Sequence, residues 1–148
     1  MALAAIGPTT RPAVPADAEA IAALLGELGY PAIATDVEAR LARLSPGDYA
    51  VFVAIADERI AGLMGLHRLM GLHLSEPGCY VNALVVAAEW RGRGIGTLLL
   101  ERAESWGRAN GCGRITLTSA DHRRDAHLFY EHNGFANTGR RFVKKIEL

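Results

Sequence analysis

Along this chain the spacing of apolar residues changes from a helical period to a strand-like pattern near residue 49 and back near residue 96. Thr9 to Val14 reads as a short first strand. Asp17 stands where a helix N-cap belongs, and Ile21, Leu24, Leu25 and Leu28 follow at helical spacing until Gly29 and Pro31 end the run. Thr35-Asp-Val-Glu38 has the pattern of a capping box, opening a second helix whose apolar face is Val37, Leu41 and Leu44. From Tyr49 to Ala56 nearly every residue is apolar, as in a strand buried on both faces, and Asp57-Glu58 supplies a turn. Arg59 to Met70 and Cys79 to Val86 read as the next two strands. Helix returns from about Gly96 to Asn110, with Leu99, Ala103, Trp106 and Asn110 on one side and Gly111 as C-cap. Arg114 to Ser119 predicts a strand, Arg123 to Asn133 a helix ending at Gly134, and Phe142 to Leu148 a final strand, with one more short strand near residues 135–138. The expected fold is α/β, a mixed, mostly antiparallel sheet of six to seven strands with about four helices on both faces.

The breaks between elements are short Pro/Gly punctuation and nothing repeats, so all 148 residues read as a single domain, large enough to bury a core without metal or disulfides. The 16 basic residues balance the 16 acidic ones, which argues against a nucleic-acid partner. The apolar start, Met1 to Ile6, has no basic flank and meets Gly7-Pro8 at once; it is too short for a leader or a membrane span. Cys79 and Cys112 lack metal-ligand spacing. Two free thiols in a reducing compartment is the simpler reading, a single disulfide the alternative. A cytoplasmic protein away from membranes is therefore expected.

The candidate chemistry is concentrated in Leu84-Val-Val-Ala-Ala-Glu-Trp-Arg91-Gly-Arg-Gly94-Ile-Gly96-Thr-Leu-Leu-Leu100. A buried strand runs into three glycines at alternate positions, and an amphipathic helix follows. Glycines let backbone N–H groups converge, and the new helix adds its unpaired N–H groups and the positive end of its dipole. A diphosphate is the anion such a turn would hold. The dinucleotide fingerprint GxGxxG fails, because Thr97 stands at the third glycine position, and no Walker A loop occurs. A turn that only tightens the strand–helix junction is the other reading.

Arg91-x-x-Gly94-x-Gly96 after an apolar strand resembles motif A of the GNAT N-acetyltransferases, and Ala126-His-Leu-Phe-Tyr130-Glu-His-Asn-Gly134-Phe135 resembles their motif B. The resemblance covers about residues 9–147 and implies a single-domain GNAT-like fold with a sheet splayed around Val86. It implies that Arg91, Gly92, Arg93, Gly94, Ile95, Gly96 and Thr97 wrap the pyrophosphate of acetyl-CoA. Leu84, Val85 and Val86 would pair with its pantetheine amides, and a backbone N–H near Val86 would polarise the thioester carbonyl. Tyr130 would be the general acid at the sulfur, while Phe129 is read as ordinary helix packing. Many relatives carry an asparagine where this chain has Arg123; the arginine would reach a CoA phosphate or pantetheine oxygen, or stay a solvated charge. Ser119, at the end of its strand, is a further candidate cofactor contact. The implied activity is acetyl transfer to a primary amine, of a small molecule in preference to a protein, by direct attack in a ternary complex. A non-catalytic acyl-CoA-binding module is the competing reading. Family members often pair through late strands, so a homodimer is open to the chain.

An amine acceptor with a pKa near 10.4 is only about one part in 10³ neutral at pH 7, so something must take its proton. Glu27, His67, His73, Tyr80 and Asn82 are the candidates at the acceptor side, Asn82 only as an orienting group. Alternation puts Tyr80, Asn82 and Leu84 on one face. The spacing of His122, His127 and His132 walks around a helix and does not line up ligands, so no metal is expected.

Overall fold

A computed structural model describes residues 6–148; residues 1–5 of the apolar start lie outside the described residues. The order is β1 Thr9–Pro12, α1 Ala18–Leu28, α2 Ala34–Arg43, β2 Tyr49–Ala56, β3 Arg59–Leu69, β4 Gly78–Val86, α3 Ile95–Ala109, β5 Ile115–Leu117 and α4 Arg124–His132. The five strands form one sheet in the order β1-β2-β3-β4-β5. The contacts gather into two compact units, one ending at Thr116 and one running from Leu117 to Leu148.

In the first unit β1 to β4 are joined as antiparallel neighbours. The β2–β3 turn falls on Asp57 and Glu58, whose φ values of 48° and 63° give the strands the twist they need to fold back on each other. Val53, Leu63 and Val85 lie on the sheet face covered by Ile21 and Leu24 of α1 and Val37 of α2. The opposite face belongs to α3. Gly62 has no side chain because a Cβ there would lie 3.1 Å from Ile95 and Leu99, both fully buried. Arg102 of α3 lays its guanidinium over the Phe52 ring on the same side, 4.7 Å from the centroid.

Two helix starts differ from expectation. Asp17 precedes α1, but its carboxylate turns back, accepting from the Val14 N–H at 2.8 Å and from Arg11 at 2.7 and 2.9 Å. A bidentate guanidinium and a backbone donor outcompete one helix N–H. The second helix starts at Ala34, with Ile33 before it and Asp36 accepting from the Ile33 N–H at 3.4 Å, so Thr35 lies inside the helix and does not cap it. Asp17 is buried, at 6% exposure, and Arg11 holds its pKa below the usual carboxylate value. A depressed carboxylate stabilises the fold above its unfolded pKa and loses that contribution as pH falls through the lower, folded value. Asp17→Ala is expected to cost about 2–3 kcal/mol at neutral pH, through lost charge-assisted bonds and an unpaired Val14 N–H. Urea denaturation should show that gap shrinking in acid.

The expected count of six to seven strands is corrected to five among the described residues. Among the described residues no strand follows α4, either at 135–138 or at Phe142 to Leu148. Phe142, Val143, Ile146 and Leu148 are all exposed. Their alternation is strand-like, but a strand needs a neighbour to receive its backbone bonds, and alternation alone supplies none.

Candidate active site

The glycine turn is built as a strand-to-helix corner in the first unit. After Val86 the backbone makes a 3-10 turn over Ala88–Trp90, and Gly92 and Gly94 take φ values of 75° and 81° before α3 begins. Nothing lies within 4 Å of a Cβ at either glycine, so crowding does not demand them; the left-handed backbone does. The first N–H of α3 that finds its helical acceptor is that of Leu98, bonded to the Gly94 carbonyl at 3.0 Å. The N–H groups of Ile95 and Gly96 precede it, at the positive end of the helix dipole. Arg91 donates from Nε to the Val86 carbonyl at 3.2 Å, fastening the turn to the strand it leaves, and Arg93 stacks on Trp90 at 4.8 Å. Arg91, Gly92, Arg93 and Gly94 are exposed, Gly96 and Thr97 half-buried, and Ile95 anchors the helix in the core.

The strand before the turn has a definite polarity. Ala87 donates its N–H to the Ala61 carbonyl on β3 at 2.8 Å. Successive N–H groups point to opposite edges, so the Val86 N–H points away from β3, and so does its carbonyl, which Arg91 occupies. Leu84 and Val86 direct their side chains to the α3 face, since Val86 sits opposite Gly62. Val85 is buried under α1.

The face reading of β4 needs correction. Between Gly65 and Leu66 the β3–β4 register slips, so that Ala83 faces Gly65 but Val81 faces Leu66, and Asn82 is the extra residue of a β-bulge. The bulge reverses the alternation. Tyr80, opposite His67, and Asn82, bonded to His67, therefore lie on the α1–α2 side, and Leu84 lies on the other. Asn82 Nδ2 is 3.0 Å from His67 Nδ1. The rings of Tyr49, His67 and Tyr80 form a cross-strand row with centroids 5.3 and 5.2 Å apart. Glu27, also proposed from the sequence for the acceptor side, accepts from the Ala88 N–H at 2.9 Å and ties α1 to the exit of β4. His73 sits in the loop after β3, against Gly71.

In the second unit, Tyr130 lies in α4 between Phe129 and Phe135, with ring centroids 5.5 and 6.0 Å away. Burial pushes the Tyr130 pKa up, with the charge of Arg123 opposing. Arg123 immediately precedes α4, beside a shallow hollow of about 290 Å³ lined by His122, Arg123, Arg124, Asp125 and Ala126. Ser119 has a buried hydroxyl oxygen without a hydrogen-bond partner, an unsatisfied polar atom of the kind a ligand amide or phosphate would complete. The expected cofactor contacts thus divide between the units: the glycine turn and β4 in the first, Ser119, Arg123 and Tyr130 in the second. Sequence reasoning missed the Arg91–Val86 and Glu27–Ala88 links and the bulge; Gly65 inside a strand was the available sign of the last.

Among the described residues no three His, Cys, Asp or Glu side chains gather to hold a metal. No described helix is long and apolar enough to cross a membrane. Cys79 and Cys112 are free, and burial lifts the Cys79 thiol to about 12.

A strand, a glycine-rich corner and a helix that opens on it form an α/β arrangement suited to an anion. The chain belongs to the acetyltransferase (GNAT) family, whose model matches residues 19–135, across both units. It is 32% identical over 141 residues to an aminoglycoside N(6')-acetyltransferase type 1 of Stenotrophomonas maltophilia, covering 92% of this chain and 91% of that one. With an aminoalkylphosphonate N-acetyltransferase of Salmonella typhimurium it shares 33% identity over 94 residues, 64% of this chain and 61% of the relative. A GNAT family acetyltransferase structure from Staphylococcus aureus superposes with a TM-score of 0.79 at 26% identity, covering 95% of this chain and all of that one. The protein is an acyltransferase, an N-acetyltransferase by family.

Proposed function

We propose that this protein moves the acetyl group of acetyl-CoA to a primary amine of a small molecule, by direct attack within a ternary complex. The observation that carries the reading is the corner at Gly92 and Gly94. Two left-handed glycines with open space around them present backbone N–H groups at the start of α3, as a pyrophosphate requires. The cosubstrate supplies an activated acyl carbon and a sulfur leaving group. The residues of the chain do the rest. Backbone N–H groups of Arg91 to Thr97 hold the diphosphate, and Leu84, Val85 and Val86 align the pantetheine arm along β4. The Val86 N–H, pointing away from β3, polarises the carbonyl. Tyr130 gives its phenolic proton to the departing sulfur. Ser119 and Arg123 hold further polar atoms of the cosubstrate. Tyr80 and Asn82 face the acceptor. Both units act as one catalytic domain, a reading supported by a family match that runs through each.

A small-molecule acceptor is favoured by relatives whose names specify aminoglycosides and aminoalkylphosphonates. The competing reading, an acyl-CoA-binding module without catalysis, draws on Arg123 standing where many relatives carry asparagine. The test is thiol release from acetyl-CoA across a panel of amines, alongside calorimetry with acetyl-CoA, NADH and ATP. Micromolar acetyl-CoA binding with amine-dependent release is expected. Binding without release from any amine would leave the module reading, and no binding by folded protein would sink both.

A further inference from the structure

The row Tyr49, His67, Tyr80, with Asn82 beside it, is unexplained by cofactor binding. It lies on the α1–α2 side of the sheet, whereas Leu84 and Val86 face α3. All four residues are solvent-accessible to some degree, Asn82 and Tyr49 most. Beside the row, β3 carries Gly65, and a Cβ there would fall 2.6 Å from Asn82 Oδ1. Asn82 Oδ1 therefore occupies the space that a side chain at Gly65 would take. The Asn82 amide oxygen thus packs over Gly65, while Nδ2 lies 3.0 Å from His67 Nδ1.

We propose that this patch is an acceptor subsite, one that binds a second, non-reacting ammonium group of an acceptor carrying two or more amines. The inference rests on the transferase reading for its place in the reaction, though not for the binding itself. The rings lie 5.3 and 5.2 Å apart, so the row offers its outer π faces to a cation, and the Asn82 oxygen offers an N–H acceptor. Arg68, next to His67, points to the opposite face, where it lies 3.8 Å from Asp48 and its charge acts on Cys112. The bulge is what brings Asn82 and Tyr80 to this side. Along β4, Asn82 stands two to four residues from Leu84 and Val86, about 7–13 Å at roughly 3.3 Å per residue. That is the separation expected between the held and the reacting nitrogen.

The experiment follows the His67 imidazole signals by NMR, assigned by their loss in His67→Gln, during titration with cadaverine, spermidine or n-pentylamine. Wild type should show saturable His67 shifts with the two polyamines at about two- to fivefold lower concentration than with pentylamine, the range of one solvent-accessible cation–π contact. In Tyr80→Leu, and in the more exposed Tyr49→Leu, that preference should fall toward one. Gly65→Ala, which must push the Asn82 amide aside, should reduce it too. Amide-dispersion spectra report whether each variant is folded. Equal response to polyamine and monoamine, or no His67 response at all, overturns the subsite. In parallel, steady-state KM for cadaverine should rise about two- to fivefold in Tyr49→Leu. His67 shifts without acetylation of any amine would keep the subsite and remove the transferase reading. Acetylation without His67 shifts would do the reverse.

Discussion

Gly94→Glu is expected to weaken acetyl-CoA binding at least 100-fold while leaving the protein folded. Two penalties add. The residue sits at φ 81°, and an L-amino acid that relaxes from it turns the N–H groups of the corner out of line, so that restoring them on binding costs about 1–2 kcal/mol. A carboxylate placed about 5 Å from a phosphate charge adds about 3 kcal/mol at an effective dielectric near 20. The fold should survive because no atom lies within 4 Å of a Cβ at this position. Gly94→Ala separates the two terms, since it carries the backbone strain without the charge, and should lose roughly tenfold. Calorimetry on both variants, with circular dichroism as the folding control, reads the difference. Equal losses in the two would mean that backbone geometry, and not charge at the diphosphate, governs the site. Undiminished binding to Gly94→Glu would remove the glycine corner from the cofactor site altogether.

Tyr130→Phe should lower kcat by about 100-fold with little change in acetyl-CoA affinity. The ring, its packing against Phe129 and Phe135, and the helix all survive the loss of one oxygen. Only the proton donor goes. The pH profile gives a sharper signature. Because burial raises the phenol's pKa, Tyr130 stays protonated through neutral pH and well into the alkaline range. A general acid works below its pKa, so wild-type kcat should hold on the alkaline side and fall only above the ordinary tyrosine value near 10. That limb should vanish in Tyr130→Phe. A raised pKa also makes the phenol a weaker acid than a thiol, so the proton moves late, as charge builds on sulfur. If kcat and its alkaline limb are unchanged in the variant, Tyr130 is a packing residue and the acid lies elsewhere.

Much of the fold was legible because its signals are local. The period of apolar residues set α1, α3 and α4 within a residue or two, and the near-continuous apolar run of Tyr49 to Ala56 matches β2 at both ends. The glycine corner was legible for the same reason. Left-handed backbone at Gly92 and Gly94 is a requirement that the residues state themselves. Helix starts were less legible. Asp17 could have capped α1, but Arg11 and the Val14 N–H offered it better bonds, and nothing near Asp17 in sequence announces that Arg11 will be there.

What the sequence by itself determined is the kind of protein and the glycine corner, since both rest on motif and period. The tertiary structure decided the rest through pairing. It left the alternating tail after α4 without a strand, because hydrogen-bonded neighbours cannot be read from one segment. It also placed the β4 bulge at Asn82, where one unpaired residue turns Tyr80 away from the Leu84 face and toward His67. Alternation assumes unbroken register, and register belongs to two strands at once.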